Sequence, residues 1–120
     1  MVFEINGHNW LIFLQSSDRL IKMYKEEYPE EEVYFVGGVT NRAYEWIAIN
    51  ADIPIDQQLK ALKHELTHCY IWEYGLYNVP NFNEEMVCDL VASLNDFISR
   101  TVEDFKKSHK ELEKEEREER

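Results

Sequence analysis

The sequence predicts an α+β domain: a small twisted sheet from the N-terminal half, packed on one motif-bearing helix and completed by a second long helix. Three observations carry this. Strand-like patterning is confined to residues 2–49, and the apolar period turns helical near residue 57. Turn signals such as Asn6-Gly7 and Gly37-Gly38 punctuate the first half, while Gly75 and Pro80 separate two helical runs in the second. A chain of 120 residues with 44% apolar and 13% aromatic side chains suffices for one hydrophobic core and hardly for two.

Val2 to Ile5 and Trp10 to Leu14 read as strands flanking Asn6-Gly7, a dipeptide that favours a hairpin. Ser17-Asp18 can cap a helix from Arg19 to about Glu27, with Leu20, Ile21, Met23 and Tyr24 partly buried. Pro29 and the glutamates around it break regularity. Val33 to Val36 is expected as a second strand region turned by Gly37-Gly38, and Ala43 to Ile49 as a third. Asp56 is a candidate N-cap for a helix over 57–74, in which Leu59, Leu62, Leu66 and Cys69 or Tyr70 share a face and Gly75 follows the last turn. After a short loop with Pro80, Asn81 or Asn83 caps a second helix whose apolar face runs from Met86 to Ile98 and thins through Val102 and Phe105. Beyond Lys106 the chain is nearly all Glu, Lys and Arg. Residues 1–105 are therefore taken as the domain, and 106–120 as a charged tail, helical or disordered, with nothing to bury.

The formal charge is −11, of which the segment from residue 103 onward contributes only −2. The rest includes the cluster Glu26, Glu27, Glu30, Glu31 and Glu32, and such a surface repels phosphate backbones, which argues against a nucleic-acid partner. No apolar run is long enough for a membrane span, and no signal-peptide pattern is present. The two cysteines, Cys69 and Cys88, are too few for a disulfide framework and are expected reduced, which fits a cytoplasmic protein.

The chemistry is carried by His64-Glu65-Leu66-Thr67-His68. On an α-helix, residues four apart share a face, so two imidazoles at i and i+4 reach one metal ion. Zinc accepts neutral imidazole nitrogen and leaves room for a water that it acidifies towards neutrality. Glu65 is rotated about 100° from His64, off the ligand axis yet close enough to take a proton from that water. A catalytic zinc site needs a third protein ligand. Ile71 and Tyr74 stand where a longer single-helix motif would place Gly and His, so a carboxylate from Asn83-Glu84-Glu85-Met86-Val87-Cys88-Asp89 is the remaining source, with the cysteines as second choices.

This His-Glu-x-x-His string, followed by a helix opening Asn-Glu-Glu with an Asp four residues after the second Glu, resembles the gluzincin arrangement of the thermolysin type. The small size and the preceding strands look more like the ImmA/IrrE-type metallopeptidases carried by phages and mobile elements. The resemblance covers about residues 33–99, and it implies a minimal zincin-like domain hydrolysing peptide bonds with one zinc ion. It assigns His64, His68 and Glu85 as zinc ligands, Glu65 as general base, and Asp89 as acceptor for the outer N–H of a ligating imidazole. Glu84 is the competitor of Glu85. The stretch between the ligands is shorter than in thermolysin-type enzymes, and no histidine matches the one that steadies the tetrahedral intermediate there. Tyr77 is the best-placed candidate for that oxyanion role, ahead of Tyr70, Tyr74 and His8. The fold analogy further makes Ala43 to Ile49 the sheet edge that pairs with an extended substrate, a protein or peptide and, by the resemblance, a regulatory protein such as a repressor. The rival expectation is a non-catalytic module, either zinc-stapled or a metal-free helical interaction protein.

Overall fold

A computed structural model describes residues 1–78 and 83–120. The order is β1 (Val2–Ile5), β2 (His8–Gln15), α1 (Ser17–Glu27), β3 (Gly38–Asn41), β4 (Trp46–Asn50), α2 (Ile55–Glu73), a 3₁₀ turn (Leu76–Asn78) and α3 (Glu84–Glu119). The architecture is α+β, with a four-stranded sheet in the order β1-β2-β4-β3.

The Asn6-Gly7 hairpin forms as expected. Both residues adopt positive φ (51° and 78°), the two-residue turn whose twist matches the flanking strands, and Phe3 pairs with Trp10 across it. From β2 the chain crosses through α1 and returns as β4, parallel to β2 with Ile12 opposite Ile47. Ser16, not Ser17-Asp18, caps α1 by accepting the Arg19 N–H, and the Ser17 N–H is donated instead to Asp52. The sheet is covered on both faces. Leu20 of α1 packs with Val36, Val39 and Ala48 on one side. On the other, Trp10, Ile12, Ile47 and Ile49 meet Leu62, Leu66 and Cys69 of α2 and Phe97, Phe105 and Leu112 of α3.

Three expectations are corrected. Val33 to Val36 forms no strand. Tyr34 and Phe35 are exposed, and this segment serves the sheet through its carbonyls, Val36 accepting the Asn50 side chain and Gly37 the Asn50 N–H. The strand is Gly38–Asn41, so Gly38 opens β3 where a turn was expected. Ala43 to Ile49 is not an edge either. Its first residues form the turn into β4, with Glu45 at φ 58°, and β4 lies between β2 and β3, so β3 rather than β4 is the edge on that side of the sheet. Lastly, the segment beyond Lys106 does bury side chains. Helix α3 continues without a break, Leu112 is only 2% exposed, His109 meets Gln58 at 2.8 Å, and Arg120 bonds Glu116 and Asp52.

Helix α2 begins two residues earlier than Asp56 would have capped it. Pro54 is the N-cap residue, and Asp56 sits in the first turn, where a carboxylate favours the positive end of the helix dipole. Gly75, at φ 66°, follows the last turn as expected. Asn83 caps α3 by accepting the Met86 N–H, while Pro80 and Asn81 lie outside the described residues.

Candidate metal centre

His64 and His68 stand one turn apart on the face of α2 that points away from the core. Their Nε2 atoms are 3.1 Å from each other, with the rings edge to face. Glu65, although next to the exposed His64, is only 7% exposed, because the rotation per residue carries it to the border between the open face and Leu62, Leu66 and Cys69. Its Oε1 accepts a hydrogen bond from Thr40 Oγ1 at 2.8 Å, and its Oε2 lies 4.0 Å from His64 Nε2. Partial burial, the neighbouring His64 and Arg42 together hold the His68 imidazole below its usual range against the opposing pull of Glu65, so His68 favours the neutral form that ligates metal.

These groups form the floor of a cavity of about 660 Å³ that wraps around β3. Tyr24 and Glu27 of α1, with Tyr28 at its C-cap, also line it, as do Arg42 and Trp72. Close approach of β3 to α2 depends on Gly38. A Cβ there would sit 2.9 Å from the Glu65 Cγ and 3.1 Å from the Ala48 carbonyl oxygen. The pleat alternates accordingly, Gly38 and Thr40 facing Glu65 while Val39 packs beneath α1. The sequence assigned neither Thr40 nor Gly38 to the site. The Gly37-Gly38 pair was the available signal, and it reads equally as a turn or as a place where backbone approaches a side chain.

The structure does not bring Glu85 to the histidines. Helices α2 and α3 run antiparallel, Tyr70 packing on Phe97 and Gln58 meeting His109. About 18 Å of helix separates Glu85 from the level of Phe97, whereas α2 has only Ile71, Trp72 and Glu73 left beyond Tyr70. The first turns of α3 thus run past the end of α2, and Glu84, Glu85 and Asp89 are exposed there. Among the described residues no hydrogen bond or ion pair joins any of the three to His64 or His68. The cysteines are no substitute. Cys88 is exposed on α3, and burial pushes the Cys69 thiol well up, which keeps it protonated within the core. Tyr77 does not line the cavity. It stacks on Trp72, ring centroids 5.1 Å apart.

A further cluster was not anticipated. His8, Glu45 and Glu73 place ligand-capable atoms within 4.8 Å of one another, the one such group of three among the described residues. Here the groups satisfy each other. His8 Nδ1 lies 3.2 Å from Glu45 and 3.5 Å from Glu73, and the half-buried Glu73 also accepts the Trp10 Nε1–H at 2.8 Å. The cluster fastens the first hairpin to the end of α2, where Asn6 also donates to the Glu73 carbonyl.

No family model, curated protein or solved structure gives a significant match to this chain. No helix among the described residues is long and apolar enough to cross a membrane.

Proposed function

We propose that this chain is a zinc-dependent hydrolase of peptide bonds, with His64 and His68 as metal ligands and Glu65 as general base. The observation that carries this reading is the convergence of the two Nε2 atoms at 3.1 Å, on an open cavity with a held carboxylate beside them. Two nitrogens bound to one tetrahedral zinc stand about 3.3 Å apart, so the pair fits the ion with little adjustment. When bound, zinc supplies an acidified water and polarises the scissile carbonyl.

The rest follows from the chain's own groups. Thr40 anchors one oxygen of Glu65, so the other is free to take the proton of the attacking water and return it to the leaving amine. The unpaired edge of β3 offers backbone N–H and C=O groups to an extended segment of a protein substrate laid along the cavity, the geometry of strand addition. The resemblance to ImmA/IrrE-type enzymes favours a regulatory protein as that substrate, and the free thiols Cys69 and Cys88 fit a reducing, cytoplasmic setting. In this arrangement His64 and His68 supply two of the three protein ligands that a catalytic zinc takes. Glu85 joins them only if the first turns of α3 fold back towards α2.

Zinc content of the purified protein tests the reading. One equivalent bound by the wild type and none by His64→Ala is the expected result, and a wild type that takes up no zinc sinks it. A non-catalytic binding module is the second reading. It is favoured by the exposed Val87 and Val91 on α3, an apolar stripe suited to a partner helix. Zinc uptake without hydrolysis of any protein or peptide would select it.

A further inference from the structure

The turn from β3 into β4 delivers one cation to the cavity. Among the described lining residues, Arg42 is the only lysine or arginine. Its guanidinium carbon lies 5.2 Å from the centroid of the Trp72 ring, a cation–π contact. Trp72 is one turn beyond His68 on the same face of α2, and its other neighbour is the stacked Tyr77, with planes only 19° apart. The guanidinium is therefore held by an aromatic stack rooted in the helix that carries the two histidines. Among the described residues no carboxylate lies within 4.0 Å of it, so its fork of N–H donors is uncommitted. Glu27 of α1 also lines the cavity and repels negative charge.

We propose that Arg42 is the anion-binding residue of this cavity, holding an oxygen anion against the metal position defined by His64 and His68. The inference rests on the metal reading above and adds to it the group that reasoning from sequence sought among the tyrosines. When water adds to a peptide carbonyl, a C–O bond forms, the water proton passes to Glu65, and the carbonyl oxygen becomes an oxyanion. Collapse re-forms the C=O bond, breaks the C–N bond, and returns the Glu65 proton to the amine. The negative charge is transient, and a pre-placed cation with planar donors stabilises it where no reorganisation is needed. The same chemistry binds stable oxyanions such as carboxylate and phosphate.

Cobalt(II) in place of zinc gives a visible spectrum that reports on anions entering the metal's environment, and inorganic phosphate is the probe. Phosphate should perturb the spectrum of the cobalt-loaded wild type. Arg42→Met should bind phosphate about ten- to hundred-fold more weakly, the loss of one or two charge-assisted hydrogen bonds, while still taking up one equivalent of cobalt. Arg42→Lys, which keeps the charge but not the fork, should fall between. Equal phosphate affinity in wild type and Arg42→Met, or a wild-type spectrum that phosphate leaves untouched, overturns the role of Arg42 while leaving the metal site standing. A wild type that takes up no cobalt overturns the metal reading, and the anion site with it.

Discussion

Helix α2 serves two clusters of histidine and glutamate, and they are built in opposite ways. At its middle, His64 and His68 turn their nitrogens towards each other over open space, and the adjacent carboxylate is held back by Thr40. At its C-terminal end, Glu73 and Glu45 both aim at the single imidazole of His8, and Trp10 takes up an oxygen of Glu73. By count of converging ligand-capable side chains, the cluster around His8 is the richer of the two. On our proposal it is nevertheless the poorer metal site, because its donors and acceptors already complement each other and an ion would have to displace those contacts. Between His64 and His68 an ion would displace a single imidazole–imidazole hydrogen bond. What distinguishes the two clusters is how many existing bonds an ion would have to displace.

This contrast can be broken by substitution, and the largest effect belongs to the imidazole pair. His64→Ala and His68→Ala should each lower zinc affinity by more than the roughly 10- to 100-fold seen when groups behind a ligand are lost, whereas His8→Ala should leave it unchanged. Zinc titration of the three variants decides it, and loss of metal in His8→Ala alone would reverse the roles of the clusters. Next comes Glu65→Gln, which should keep zinc and fold but lose about 10²- to 10⁴-fold in hydrolysis. Were that variant to lose its zinc instead, Glu65 would be a ligand. Glu73→Ala should act on stability alone. Leaving the Trp10 Nε1–H without its acceptor costs about 1–3 kcal/mol, read as a lower urea midpoint at unchanged zinc content. The smallest change is expected of Glu85→Ala, within about 0.5 kcal/mol in stability and with zinc affinity unaltered. If it empties the site, α3 must fold back against α2 in the zinc-bound protein, and the alignment read from the sequence holds after all.

Much of the framework was legible because local signals and tertiary context agreed. Asn6-Gly7 specifies a turn through its own backbone preferences, and the core face of α2 follows from the spacing of Leu59, Leu62 and Leu66, with Cys69 or Tyr70 as its last member. Reading failed where a residue's role is set by a distant partner. Val33 to Val36 has the composition of a strand, yet Gly38–Asn41 takes the place beside β4 because Gly38 admits Glu65 at close range. Leu112 stands alone among charges in the sequence, but Phe97, Thr101, Phe105 and Leu112 continue one buried stripe, and a lone apolar residue at the right spacing suffices for docking. The two histidines and Glu65 could be read from spacing within one helix. Thr40 and Arg42 could not, since they reach the cavity from another element. The position of Glu85 failed for a related reason. Four-residue spacing says which side chains share a face of α3 but nothing about how far along α2 that face is placed.

The unequal cover along α3 has a kinetic counterpart. From Phe97 to Glu116 the helix is pinned by core side chains, whereas from Glu84 to Ser93 no residue is fully buried. Backbone hydrogen bonds in the uncovered turns can open without disturbing the core, so their amides should exchange with deuterium through local fraying. Those near Phe105 should wait for global unfolding. Such a gradient within one continuous helix makes its first turns a natural reporter: whatever docks against them, whether a partner or the rest of this chain, would register as new protection there.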